Sequence, residues 1–253
     1  MKNIFFLFSA LVLMTNCKTA VPAALETPKT EADFPYYFKA TGNEPFWSLR
    51  IGADKTVFTS MIENKELLEF KTTDPEKAMD ANVKTYHLSN AANKVSVTIM
   101  QNDCQDSMSG VVAPYTVKME IKNSSDLETK IIQGCGSYIT DYRLHDIWVL
   151  EELKGKKVSI SDFQNELPRI EINASENTFM GFGGCNSVSG SIFSEKELLR
   201  FTNVISTLMA CAPGNKEDEY LKALQSSTSY EIGNNRLTLS NPSGVLLIFR
   251  KVD

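Results

Sequence analysis

Thr178–Cys211 reads TFMGFGGCNSVSGSIFSEKELLRFTNVISTLMAC, and this stretch decides the fold. Apolar and polar residues alternate through Thr178–Phe182, Ser189–Phe193 and Leu198–Ile205, the period-two pattern of half-buried strands. Gly181, Gly183 and Gly184 fall at a strand end before Cys185, where glycine allows tight turns and positive φ. Asn186 and Ser187 can bond local backbone and set the turn, and Gly190 permits close backbone approach in the next strand. The stretch reads as a hairpin with a crowded corner, tied by a disulfide to the Cys211 loop.

The same texture continues on both sides. Further strands are expected over Arg169–Asn173, Arg236–Ser240 and Val245–Arg250, with turns at Gly233-Asn234-Asn235 and Asn241-Pro242-Ser243-Gly244. One helix is expected from about Lys216 to Ser227. Asn215 can cap it, Glu217 and Asp218 sit where the helix dipole favours acids, and Tyr220, Leu221 and Leu224 share one face. Upstream, Phe46–Ile51 and Val57–Met61 form a hairpin about Gly52, Ala53 and Asp54. Lys94–Met100 and Tyr115–Ile121 alternate as strands, and Asp74–Ala81 reads as a short helical turn. Met100, Met108, Met180 and Met209 read as core fillers. The fold class is mainly β, or α+β: two small β-rich domains, residues 35–143 and 144–253.

The chain opens with a different signature. Lys2 precedes an apolar run from Ile4 to Leu13 that falls short of the roughly 20 residues a bilayer span needs, and Cys17 follows. This is read as a lipoprotein signal peptide over residues 1–16, leaving Cys17 as the lipidated N-terminus. Residues 17–34 are rich in Ala, Thr, Pro and Glu and cannot bury enough surface to offset ordering entropy, so they read as a lipid-anchored flexible tether. The membrane is therefore an expected partner through the N-terminal lipid. Lys18 is not the Asp that retains enteric lipoproteins at the inner membrane, which by resemblance implies the outer membrane, facing the periplasm.

The formal net charge is −5, from 26 basic and 31 acidic residues spread along the chain. No basic stripe is present, which argues against nucleic acid as a partner. Beyond Cys17, the cysteines are Cys104, Cys135, Cys185 and Cys211. In an exported chain they suggest two disulfides, for which three pairings exist. Cys104–Cys135 and Cys185–Cys211 keep each bond inside one expected domain. Each would close a loop of about 25 to 30 residues and contribute roughly 3–4 kcal/mol. No C-x-x-C spacing occurs, and His87 and His145 lie near no cysteine pair, so neither a metal nor a cofactor is expected.

The Thr178–Cys211 stretch closely resembles the META (HslJ-like) domain family. The resemblance rests on Gly184-Cys185-Asn186, Ser189-Gly190-Ser191, Ser206-Thr207-Leu208-Met209-Ala210-Cys211, the acidic helix start at Glu217 and Trp148-Val149-Leu150. It covers residues 144–253. It implies a compact β-rich domain with one amphipathic helix, found in envelope proteins linked to heat shock and other stress, and no established catalytic activity. In the first half, Gly42-Asn43-Glu44-Pro45-Phe46-Trp47, Cys104–Gly110, Pro114-Tyr115-Thr116-Val117 and Gly134-Cys135-Gly136 resemble an uncharacterised bacterial lipoprotein family that occurs beside or fused to META domains. That resemblance supports the Cys104–Cys135 pairing.

Candidate chemistry is sparse. Gly181-Phe182-Gly183-Gly184 lacks the Lys-Ser/Thr of a phosphate loop. Ser187, Ser189 and Ser191 sit in no nucleophile elbow, and no histidine follows Cys185. Glu44 beside Trp47 could hold a sugar by a polar contact plus stacking, although a core Trp47 and a turn Glu44 is the favoured reading. Asp103 and Asp106 are too few oxygens for calcium. Asn186 and Ser187 complete the candidate binding residues. The expectation is a non-enzymatic envelope lipoprotein acting as a binding module for an unknown envelope protein or small ligand. The alternative is an inhibitor of a wall-degrading enzyme such as lysozyme.

Overall fold

Strand alternation is carried through into two antiparallel sheets. The computed structural model describes residues 34–164 and 166–252. The expected signal, Cys17 and the tether lie outside these residues, apart from Phe34.

The first sheet contains β1 (Tyr36–Asn43), β2 (Phe46–Gly52), β3 (Lys55–Ser60), β4 (Leu67–Lys71), β5 (Glu76–Lys77), β6 (Val83–Ser89), β7 (Asn93–Gln105), β8 (Val112–Asn123) and β9 (Lys130–Tyr138). Its order is β4-β3-β2-β1-β9-β8-β7-β6-β5. Period two puts one residue set inward: Phe38 and Ala40, then Trp47, Leu49 and Ile51, then Val95, Val97 and Ile99, then Tyr115, Val117, Met119 and Ile121. Burying each large apolar side chain contributes about 1.5–3 kcal/mol. The sheet rolls until β4 lies beside β6. There Asn90 Nδ2 donates to Glu69 O at 3.3 Å, and Thr73 Oγ1 donates to His87 O at 3.1 Å. Cys104 and Cys135 are disulfide-bonded, joining β7 to β9, the two strands that flank β8.

The second sheet contains β10 (Ile147–Leu153), β11 (Lys156–Lys157), β12 (Arg169–Asn173), β13 (Thr178–Phe182), β14 (Ser187–Glu195), β15 (Leu198–Ser206), β16 (Ser229–Gly233), β17 (Arg236–Asn241) and β18 (Gly244–Lys251). Strand β18 pairs back onto β10, so the sheet closes into a barrel, with β11 as a short hairpin partner of β10. The helix α1 (Glu217–Ser226) lies between β15 and β16 in the chain and packs on β15 and β18. Its Tyr220, Ala223 and Leu224 are buried with Trp148 and Phe249, and Leu221 is partly buried against the same cluster. Trp148 Nε1 donates to Leu144 O at 3.0 Å, which satisfies the buried indole. At the helix start, Lys216 makes no side-chain cap; Asn215 Oδ1 accepts from the Glu217 N–H at 2.7 Å instead. Residues Pro35–Asp253 pack as one compact unit.

Two local expectations are corrected. Asp74–Ala81 forms no helical turn. Glu76 and Lys77 pair with Thr85 and Lys84 as an edge strand, because β6 offers open backbone groups and the segment has no apolar stripe to bury. The methionines also differ from core fillers: Met108, Met180 and Met209 are exposed, and Met100 is only partly buried. Met180 alternates with inward Phe179, so strand parity turns it outward.

Candidate functional site

The corner expected at Cys185–Asn186 is built around a buried carboxylate from α1. Glu217 Oε1 accepts from the N–H groups of Cys185 at 3.1 Å and Asn186 at 2.7 Å, and Oε2 accepts from Asn186 Nδ2 at 2.7 Å. Gly183 makes room for it, since a Cβ there would lie 2.4 Å from Glu217 Oε1. Gly184 has φ of +107° and abuts the Phe163 ring, a conformation and a space that only glycine fits. Asn186 Oδ1 accepts from Thr207 Oγ1 at 2.8 Å and from the Met209 N–H at 2.7 Å. One asparagine thus joins the β13–β14 corner, the loop after β15 and the helix start. The Cys185–Cys211 disulfide closes the same corner.

On the outside, Lys216 bonds Asp162 at 2.5 Å. That bond, together with the Ser159 N–H, holds the Asp162 carboxyl down to about 2. Among the described residues, Cys185, Cys211 and Glu217 bring three potential metal-ligand atoms within 4.8 Å. The two sulfurs are bonded to each other, which removes both as thiolate ligands.

Beside this corner lies a groove of about 520 Å³ on the outer face of the barrel. Five residues stand in cross-strand register along its floor: Ile147 on β10, Glu171 on β12, Met180 on β13, Ser189 on β14 and Ile205 on β15. Met180 is 61% and Ile205 67% exposed. Ser187 and Thr207 form one rim, and Arg169 the other, held by Glu166 and lying over the Phe182 ring. The next loop adds exposed Leu208 and Met209. Among the described residues, β15 pairs with β16 only at Leu198, so Phe201–Ser206 has no strand on its second edge.

The sequence candidates fall in different places. Ser187 is exposed on the groove rim, whereas Asn186 is buried and committed to the corner. Trp47 is 4% exposed and lies against Gly42 and Gly134, so it offers no stacking face, while Glu44 is exposed on the turn before it. Asp106 is occupied as a turn acceptor. The Ser109 N–H and Oγ, Asn43 Nδ2 and the Met108 N–H all bond it, which lowers it to about 2. The groove itself was missed, although the parity of Thr178–Phe182 carried the signal.

These features define a disulfide-stapled β-barrel module with an apolar outer groove. Residues 143–253 match the META domain family. META domains are envelope-associated, and the match points to an envelope or stress-related protein. A solved structure of a DUF4847 family protein from Bacteroides vulgatus is similar at 15% sequence identity, over 44% of this chain and 96% of that one, with a TM-score of 0.31. No curated protein matches the sequence. Among the described residues, no helix is long and apolar enough to cross a membrane.

Proposed function

We propose that this protein is a non-enzymatic envelope lipoprotein, anchored through Cys17 at the outer membrane, whose META domain binds a partner protein. The observation that carries this reading is three exposed apolar side chains, Ile147, Met180 and Ile205, set in one groove with Glu171 and Ser189 between them, beside the strand-free edge of β15. Outward positions of a barrel normally face water and are polar, and large apolar side chains gathered in one exposed groove with a polar rim suit an interaction surface. The second edge of β15 at exposed Asn203, Ile205 and Ser206, which carries no strand among the described residues, suits an extended segment that adds as a strand, with apolar side chains entering the groove.

The test is crosslinked capture from envelope membranes with the full-length protein, Cys17→Ala and Ile205→Glu. One dominant partner, lost in Ile205→Glu and reduced in Cys17→Ala, supports the reading. Equal capture by wild type and Ile205→Glu refutes the groove. Protection of cell walls against added lysozymes, lost in the same variant, would identify the partner as a wall-degrading enzyme.

A further inference from the structure

The tip of the β14–β15 hairpin carries a second, separate arrangement. Glu195 ends β14 and is 5% exposed at its side chain, an unusual place for a carboxylate in a hairpin turn. It projects into the first sheet. Lys84 Nζ on β6 bonds Oε2 at 2.6 Å, Asn82 Nδ2 bonds Oε1 at 2.6 Å, and the Tyr115 hydroxyl on β8 donates to Oε1. Burial pushes the Glu195 carboxyl up, but the bonds from Lys84, Tyr115 and Asn82 outweigh it and hold the group below its ordinary value.

The three donors are organised by the first sheet itself. Lys84 Nζ also donates to Asn82 Oδ1 at 2.8 Å, and Asn82 Nδ2 donates to Gln101 Oε1 at 2.9 Å. Lys84 also sits over the Tyr138 ring, 5.1 Å from its centre. A lysine only 15% exposed needs an anion, since an unpaired buried charge is strongly unfavourable. The hairpin that supplies the anion is paired at its tip, Glu195 opposite Leu198, and the Tyr230 N–H bonds Glu197 O at 3.2 Å, so it moves as a paired unit. Lys196, next to Glu195, has φ of 54°, where glycine or asparagine is normal. Against the first sheet it is seated by side chains: Lys196 lies over the Tyr37 ring at 5.4 Å, and Phe193 packs on the first core. Beside Glu195 a cleft of about 510 Å³ opens, walled by Tyr37, Tyr86 and Tyr138.

We infer that Lys84, Asn82 and Tyr115 form a carboxylate-binding socket in the first domain, that Glu195 fills it in cis, and that the C-terminal carboxylate of a peptide takes the socket by displacing the hairpin tip. The donors recognise a carboxylate, and the aromatic cleft accommodates the residues behind it. Glu195 acts as an internal competitor, so the apparent affinity for an external ligand is scaled by the fraction of open hairpin. This site is independent of the META groove.

The test uses the full chain, with acetate and with N-acetyl-Ala-Ala bearing either a free or an amidated C-terminus. Acetate should raise the thermal midpoint of Glu195→Ala relative to chloride at equal ionic strength, and should leave Glu195→Ala/Lys84→Met unmoved. The free-acid dipeptide should bind Glu195→Ala and bind wild type on the order of tenfold or more weakly; the amide should bind neither. If Glu195→Ala does not fold, Glu195→Gln fills the same volume with a neutral head and carries the dipeptide comparison. Equal binding of acid and amide, or an acetate effect that survives Lys84→Met, overturns the socket. No binding of the acid to wild type overturns the displacement and leaves Glu195 a fixed interdomain plug.

Discussion

Glu217 and Asn186 are held face to face at the helix start, the carboxylate accepting both the backbone N–H and the side-chain amide of the asparagine, each at 2.7 Å. This pair joins α1 to the strand corner on which the barrel's outer groove begins, so the shape of the groove depends on a buried charge.

Glu217→Ala should therefore destabilise the second barrel. It leaves the N–H groups of Cys185 and Asn186 without their acceptor inside the fold, a loss of about 1–3 kcal/mol. Glu217→Gln should recover only part of this, because its amide nitrogen would face Asn186 Nδ2 rather than accept from it. Urea unfolding measures both. A midpoint unchanged in Glu217→Ala would show the pair to be incidental.

Gly183→Ala should fall in the same range without removing any hydrogen-bonding group. Its Cβ would lie 2.4 Å from Glu217 Oε1 and 3.0 Å from Glu217 Cδ, so the carboxylate must leave the corner. In Glu217→Ala the same glycine change should cost less, since the clash is gone. A double-mutant cycle reads this coupling. Additive effects would contradict it.

Each disulfide should be separately stabilising. Sequence separations of 31 and 26 residues give roughly 3–4 kcal/mol for each bond by loop closure. Cys104→Ala/Cys135→Ala and Cys185→Ala/Cys211→Ala should each lower the denaturation midpoint. Hydrogen exchange should show loosening concentrated in β7–β9 for the first variant and around α1 for the second. Loosening spread evenly over both sheets in either variant would contradict this.

Acid should weaken the corner. Asp162 falls from its ordinary 3.8 to about 2 in the fold, through Lys216 first and then the Ser159 N–H. A depressed folded value means the contribution is whole above 3.8 and is lost as pH falls toward about 2. The stability gap between wild type and Asp162→Asn should narrow across that window. A constant gap would show that Asp162 is not coupled to folding.

Where a short pattern has one physical cause, the sequence shows it directly. Arg169–Asn173 and Thr178–Phe182 coincide with β12 and β13 because their alternation reflects one wet and one dry face. Helix α1 was legible from Tyr220 and Leu224 at spacing four with acids in the first turn. The disulfides followed from keeping each pair within one half of the chain. The first-half strands β1, β4, β6 and β9 carry no clear local pattern, since burial there comes from partners distant in sequence, as with Phe38 opposite Tyr138. Asn186 looked like a free turn residue because its acceptor, Glu217, belongs to a helix 31 positions on. Nothing in the local sequence singles out Glu195, because Lys84 and Tyr115 meet it only once both sheets have formed.

If the META barrel binds a partner through its outer groove, photocrosslinking in intact cells will trap that partner there. A photoreactive residue at Met180 or Ile205, both exposed in the groove, is compared with one at exposed Glu231 on β16. Met180 and Ile205 should give one adduct of a single mass, and Glu231 none. The same adducts from all three positions, or none from the groove, would contradict it.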